Sequence, residues 1–165
     1  DEFDIQSGHI ESVHSYTNDQ NLIDNFHKKV RRGRSAALNM VITETGAGKA
    51  VGQVLPELQG KLTANAVRVP TPNVSLAIIN LRFAKDITLE ELNDFLRQKA
   101  FHSDLKEQIG FTNSPEVVST DFVGDRHAGI IDSAATIVNG NKCVLYVWYD
   151  NEFGYTAQLL SLIHI

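Results

Sequence analysis

His14 stands in VHSYTNDQ (residues 13–20), a histidine among hydroxyls and amides at the end of an alternating stretch. An imidazole suits general acid–base work because its unperturbed pKa lies close to working pH. Alone it hydrolyses or oxidises very little, so a partner has to be found. The other histidines do not make it a metal centre. His9 and His14 are five apart on one predicted strand and so point to opposite faces. His27, His102, His127 and His164 show no ligand spacing, and no metal is expected. Cys143, in KCVLYVWY, reads as a buried, inert core thiol. As a nucleophile it would need a nearby base and an open pocket.

Three stretches have the residue types for holding an anion. TGAGKAV (45–51) first suggests a phosphate loop, but position 43 is Thr where a Walker A motif needs Gly. Its glycines at 46, 48 and 52 do not make GxGxxG either. What remains is Thr45 and small residues at a helix start, where free backbone N–H groups attract an anion. By the motif alone a plain helix cap accounts for it better. Arg68, in AVRVPT, is a cation on an apolar strand, where an unpaired buried charge is costly. It reads either as an anchor for an anionic substrate or as one half of a salt bridge or an exposed residue on the solvated face, and its neighbours leave these open. KKVRRGR (28–34) is by default a solvated basic loop, with contact to a phosphate-bearing cofactor or to another subunit's acidic patch as the alternative.

These residues need a scaffold. The chain has 165 residues, enough for one domain with a real core, and its 42% hydrophobic and 21% charged content is that of a globular protein. A net charge of −5 argues against nucleic acid or an anionic membrane as the main partner. No apolar run approaches the roughly 20 residues that span a bilayer. One cysteine excludes an internal disulfide and fits a reducing, cytoplasmic setting. The chain opens on DEFDIQSG, without an initiator Met and in mid-pattern, as expected of a piece of something longer.

The patterning predicts strands over 8–16, 37–42, 62–70, 74–84, 116–123, 129–138 and 142–150. NGN (139–141) reads as a hairpin turn. Helices are expected over 47–58, bent or ended by Pro56 and capped by Thr43 or Thr45, over 88–100, and over 151–163. Thr88 and Glu91 make a capping box, with Leu89, Leu92, Phe95 and Leu96 on one face. Residues 17–35 are polar and basic, with only Leu22, Ile23, Phe26 and Val30 to anchor them, and are expected to need a neighbouring chain for order. Strands in runs joined by tight turns point to an α+β fold, a mixed, mostly antiparallel sheet covered by helices, in one domain over residues 1–165.

VHSYTNDQ, RRGRSAALNMVI, TETGAGKAVGQVLPELQGKLTANAVRVPTPNVS, VVSTDFVGDRHAGIID and WYDNEFGY occur in that order. Together they resemble the catalytic domain of phosphorylating glyceraldehyde-3-phosphate dehydrogenases over nearly the whole chain. The resemblance implies oxidation of an aldehyde phosphate to an acyl phosphate through a thioester, with NAD as cofactor and NADP as a further possibility. It implies that His14 is the base beside a nucleophilic cysteine supplied upstream, in a Ser-Cys-Thr-Thr-Asn segment that is not among these residues; nor is the Rossmann domain. The chain alone is therefore expected to be inactive. Thr45, Gly46 and Arg68 match the family's site for the attacking inorganic phosphate, and Thr17 and Arg68 match the side that holds the substrate phosphate. Asn151 matches the residue holding the nicotinamide carboxamide, with Tyr155 close by. The basic loop resembles the segment that lines a neighbouring subunit's cofactor site, which implies a homotetramer in the full-length protein.

The match has departures. Many family members carry a second Thr where Asp19 stands, and a carboxylate repels phosphate unless it points away or the site is arranged differently. NDQ also occurs in the sister enzymes that oxidise erythrose 4-phosphate, which makes that sugar phosphate the alternative substrate; TETGAGKAV is similar to the glyceraldehyde-3-phosphate form. Phe26 sits where members using both cofactors often carry a small polar residue, which weighs against NADP. An isolated, non-catalytic interaction or structural domain is the remaining alternative.

Overall fold

A computed structural model describes residues 2–164. The strands are β1 (Ile5–Ser15), β2 (Val41–Thr43), β3 (Leu62–Val69), β4 (Ser75–Phe83), β5 (Ile109–Thr112), β6 (Gly129–Asp132), β7 (Ile137–Asn139) and β8 (Lys142–Tyr149). The helices are α1 (Ala47–Val54), α2 (Leu89–His102) and α3 (Phe153–Ser161). The sheet runs β2-β3-β1-β4-β8-β6-β5, with β7 added on β8. The β1–β3 and β5–β6 pairs are parallel and the other pairs antiparallel. This is the mixed, mostly antiparallel α+β fold expected from the sequence.

Two apolar clusters hold it together. Phe83, Leu92, Cys143 and Leu145 are buried, with Ile5, Leu81 and Leu96 packed around them, so α2 closes over β4 and β8. Val74, Phe122 and Ile130 form the second cluster, where Phe122 stacks on Trp148 with centroids 5.5 Å apart. α2 starts where its sequence dictates. The Glu91 N–H donates to Thr88 Oγ1 at 3.1 Å, and the Thr88 N–H donates back to Glu91 Oε2 at 2.8 Å. The NGN hairpin joins β7 to β8 with Gly140 at φ +59°, a turn conformation glycine adopts without penalty.

Four local expectations change. Residues 116–123 are not a strand: Ser119–Phe122 form a single 3-10 turn. Phe122 leaves the surface to fill the second cluster, and Asp121 Oδ2 accepts from the Val118 N–H at 2.7 Å. The long strand over 129–138 is broken into β6 and β7 by a turn that Asp132 closes, its carboxylate accepting from the Ala135 N–H at 3.1 Å and its carbonyl from the Thr136 hydroxyl at 3.0 Å. Of the strand expected over 37–42 only Val41 and Ile42 pair with β3, Thr43 extends the pairing by one residue, and Leu38 and Met40 face outward. β5, short and without alternation, had no periodic signal to find it by. Gly46, not a threonine, takes the N-cap position of α1, with Thr45 one residue earlier supplying its hydroxyl to the first helical N–H, and Pro56 opens a separate 3-10 turn.

The loop over 17–35 has its own means of order. The Asn21 N–H donates to the Arg32 carbonyl (3.0 Å), Asn25 N–H to Gly33 (2.9 Å) and Ala36 N–H to Asn21 (2.8 Å). A Cβ on Gly33 would meet the Asn25 carbonyl at 2.4 Å, so only glycine permits this approach. Leu22, Ile23, Phe26 and Val30 are exposed rather than serving as anchors. Backbone pairing and polar side chains define the path instead.

Candidate active site

The sheet register assembles the site. His14 is the partner of Arg68 across the parallel β1–β3 pair, and Arg68 is the partner of Val41 across β3–β2. On the other side of β1, Val13 pairs Leu76, so His14 comes level with Ser75, which pairs Tyr149 at the end of β8. One end of the sheet thus carries Arg68, His14, Ser75 and Tyr149 in a row.

His14 is half-buried, with its Nδ1 2.8 Å from the Ser15 carbonyl oxygen and 2.8 Å from Arg68 Nη1. Burial lowers its pKa below that of a free imidazole; the Ser15 carbonyl pulls the other way and the Arg68 charge lowers it further. A neutral ring at physiological pH is a ring able to accept a proton. Its Nε2 has no hydrogen-bond partner among the described residues.

Arg68 is half-buried and its Nη1 donates to the Ser15 carbonyl at 2.8 Å. No carboxylate pairs with it among the described residues. Burial, and then the nearby Arg32 charge, lower its pKa. Such a cation is short of counter-charge, which favours the anion-anchor reading over the salt-bridge one.

Arg32 is the residue the sequence did not single out. It was one arginine in a basic run; here its side chain is largely buried, with Nε and Nη2 donating to Thr43 Oγ1 at 3.1 and 2.9 Å and Nη1 paired to Asp19. Asp19 also lies 3.4 Å from His27 Nε2. Burial works against its ionisation, but Arg32 and His27 hold its carboxyl below the usual range. The carboxylate that stood against phosphate binding is therefore tied up by a guanidinium. The link spans 13 positions of a loop without periodicity, so no local pattern announces it.

The other candidate residues are distributed around this row. Thr17 is exposed in the turn after β1. Thr45 Oγ1 accepts from the Ala47 N–H at 3.3 Å at the start of α1. A Cβ on Gly46 would meet nothing within 4 Å, so the backbone there is open to approach. Thr45 shares a surface depression with Arg32, Thr43 and Asn65, and Arg68 is not part of its lining. Asn151 accepts from the Ser75 hydroxyl at 3.2 Å through Oδ1, and its amide N–H₂ has no hydrogen-bond partner among the described residues. Tyr155 is exposed on α3.

Asp150 holds this end together, and it too was not singled out. Its carboxylate is fully buried and accepts four N–H groups: Asn73 Nδ2 and the Gly124 N–H at 2.9 Å, the Glu152 N–H at 3.0 Å and the Phe153 N–H at 2.9 Å. Burial raises its pKa, but the donors outweigh this and keep it below the usual range. Val74, between Asn73 and Ser75, sits at φ +66° although β-branched and buried, a strained conformation at the edge of the site.

No cluster of three or more His, Cys, Asp or Glu side chains among the described residues could hold a metal. Cys143 pairs with Leu81 toward the far end of β8, six residues before Tyr149, about 20 Å from the site at the usual strand rise. Burial pushes its thiol up to about 11, so it is no nucleophile for His14. No helix among the described residues is long and apolar enough to cross a membrane.

The family model for the glyceraldehyde 3-phosphate dehydrogenase C-terminal domain matches residues 1–151. A glyceraldehyde-3-phosphate dehydrogenase-like protein of Pseudomonas aeruginosa is 66% identical over 163 residues, covering 99% of this chain and 35% of its own length. The glyceraldehyde-3-phosphate dehydrogenase of Priestia megaterium and glyceraldehyde-3-phosphate dehydrogenase 1 of Bacillus subtilis are each 45% identical over 98% of this chain and 48% of their own length. The chain spans about half of these relatives or less. With a match that runs through the His14 and Arg68 strands and reaches Asn151, the chain belongs to the glyceraldehyde-3-phosphate dehydrogenase C-terminal domain family.

Proposed function

We propose that this domain is the catalytic, substrate- and phosphate-binding part of an enzyme that oxidises glyceraldehyde 3-phosphate to an acyl phosphate, as in glycolysis and gluconeogenesis. The observation that carries the reading is the paired placement of His14 and Arg68, a base and an under-compensated cation, at one end of the sheet. The thiol and the dinucleotide-binding domain come from residues outside these 165. The thiol sulfur bonds to the aldehyde carbon, giving a hemithioacetal. His14 Nε2 takes the hydroxyl proton as the hydride leaves that carbon, and a thioester results. A phosphate oxygen then bonds to the acyl carbon and the C–S bond breaks. Thr17 and Arg68 hold the substrate phosphate; Thr45 and Gly46, with Arg68, hold the attacking one.

The free amide N–H₂ of Asn151 fits a carboxamide oxygen, with Tyr155 alongside, so these two residues would hold the nicotinamide. NAD, with NADP as the second possibility, supplies the hydride acceptor when bound. The working form is a cytoplasmic homotetramer. Glyceraldehyde 3-phosphate is preferred over erythrose 4-phosphate because TETGAGKAV is similar to the glyceraldehyde-3-phosphate form; Asp19, paired to Arg32, sets no free carboxylate against the phosphate of either sugar.

The test is NAD reduction by the longer protein with glyceraldehyde 3-phosphate and inorganic phosphate, beside erythrose 4-phosphate. His14→Asn should lower kcat on the order of 10²–10⁴-fold while leaving the KM for phosphate little changed. Turnover of neither aldehyde, or an unaffected kcat in His14→Asn, would overturn the reading. The 165-residue chain alone should show no turnover.

A further inference from the structure

Three atoms meet at the end of the β1–β3 pair. His14 Nδ1 lies 2.8 Å from the Ser15 carbonyl oxygen and 2.8 Å from Arg68 Nη1, and Nη1 lies 2.8 Å from the same oxygen. A guanidinium only donates and a carbonyl only accepts, whereas a ring nitrogen of neutral imidazole does one or the other. If Nδ1 carries the proton, it donates to Ser15 but turns an N–H toward an N–H of Arg68. If Nδ1 is bare, it accepts from Arg68 but turns its lone pair toward the Ser15 oxygen. No tautomer satisfies all three contacts, so the position of Arg68 decides between them. With the guanidinium in place, the Ser15 oxygen is already served and a charged donor faces Nδ1. The proton then sits on Nε2, which donates and accepts nothing.

We propose that Arg68 is the positioning residue that sets the His14 tautomer, and that a phosphate oxyanion drawing Arg68 away moves the proton from Nε2 to Nδ1 and so creates the base. This rests on the reading of Arg68 as anion anchor and His14 as base. The exchange conserves protons: solvent removes one at Nε2 and returns one at Nδ1, and His14 is only half-buried. Arg68 is free to respond because no carboxylate holds it among the described residues and Arg32 repels it. The other charges near Arg68 are Asp19, itself bound to Arg32, and the Tyr149 phenol if ionised. The ring would then act as a base only when a phosphate group is in place beside it.

The experiment is long-range ¹H–¹⁵N correlation of the imidazole nitrogens in the uniformly labelled chain at neutral pH. The His14 signals are those lost in His14→Asn. Inorganic phosphate and glycerol 3-phosphate are titrated in parallel, with chloride at matched ionic strength as control. Without phosphate, His14 should show the Nε2–H pattern. Saturating phosphate should change the tautomer ratio about tenfold or more toward Nδ1–H, the range expected when a hydrogen bond from a charged donor is removed. Arg68→Gln should show the Nδ1–H pattern with or without phosphate; if that variant does not fold, the wild-type titration decides alone. A response to only one of the two phosphates supports the switch and identifies which phosphate site drives it. If phosphate moves the backbone amides of Thr45, Gly46 or Arg68 while the tautomer stays fixed, the switch is wrong and the anion site stands. If neither amides nor tautomer respond, the anion-site reading falls and the switch with it.

Discussion

His14 and Asp150 are ionisable residues whose surroundings push their pKa values down for opposite reasons. Burial and then the Arg68 charge disfavour imidazolium at His14, against the pull of the Ser15 carbonyl. An NMR titration of its ring protons should therefore give a midpoint below 6.5, and Arg68→Gln should move it upward. The sign follows for stability. The unfolded ring binds its proton at higher pH than the folded one, so the contribution is complete above 6.5 and is lost as pH falls below it. A midpoint at or above 6.5 would contradict the environment described. Asp150 is the reverse case, a buried carboxylate kept charged by four N–H donors. Asp150→Ala leaves those donors without an acceptor and should cost on the order of 3 kcal/mol in urea unfolding. Asp150→Asn keeps one acceptor oxygen and should lose less. Neither role is visible in the residue type: WYDNEFGY marks Asp150 as one polar residue among several, and only the fold brings Asn73 and Gly124 to it.

At the scale of elements, helix starts and hairpins are local matters and were readable. α2 begins where the Thr88–Glu91 pair says it must, and Thr88→Ala should destabilise the protein by about 1 kcal/mol in denaturant unfolding. An unchanged midpoint would mean the box contributes nothing beyond solvent. The same logic found β1, β3, β4 and the β7–β8 turn. It failed over 116–123, where VVSTDFV has a strand's composition but Phe122 is needed in the core and a 3-10 turn delivers it there. Strand propensity describes fit to a half-buried pleated surface, and such a surface is not offered to this segment.

At the scale of the molecule, the sheet separates two kinds of titratable group. His14 and Arg68 lie at one end, open enough to react, while Cys143 is sealed near the other under α2. Its thiol, pushed up to about 11 by burial, should not react with Ellman's reagent in native buffer and should do so only as the protein unfolds in urea. Rapid labelling of the native chain would show that the core over β4 and β8 is not closed. The basic loop belongs to this scale as well. It keeps its path by hydrogen bonds within the chain while turning Leu22, Ile23, Phe26 and Val30 outward, so its order and its exposed apolar residues have separate origins.

Composition, alternation and capping by themselves determined that the chain folds as an α+β domain, where most of its strands lie and that His14, Thr45 and Arg68 deserved suspicion. These are properties of neighbours in the chain, set by backbone geometry and side-chain chemistry within a few residues. Only the tertiary structure decided that His14 and Arg68, 54 positions apart, share one carbonyl, that Arg32 restrains Asp19, and that Asp150 anchors the segment carrying Asn151. Those contacts depend on strand order and register, which arise from burying both apolar clusters at once. No short window of sequence contains that information.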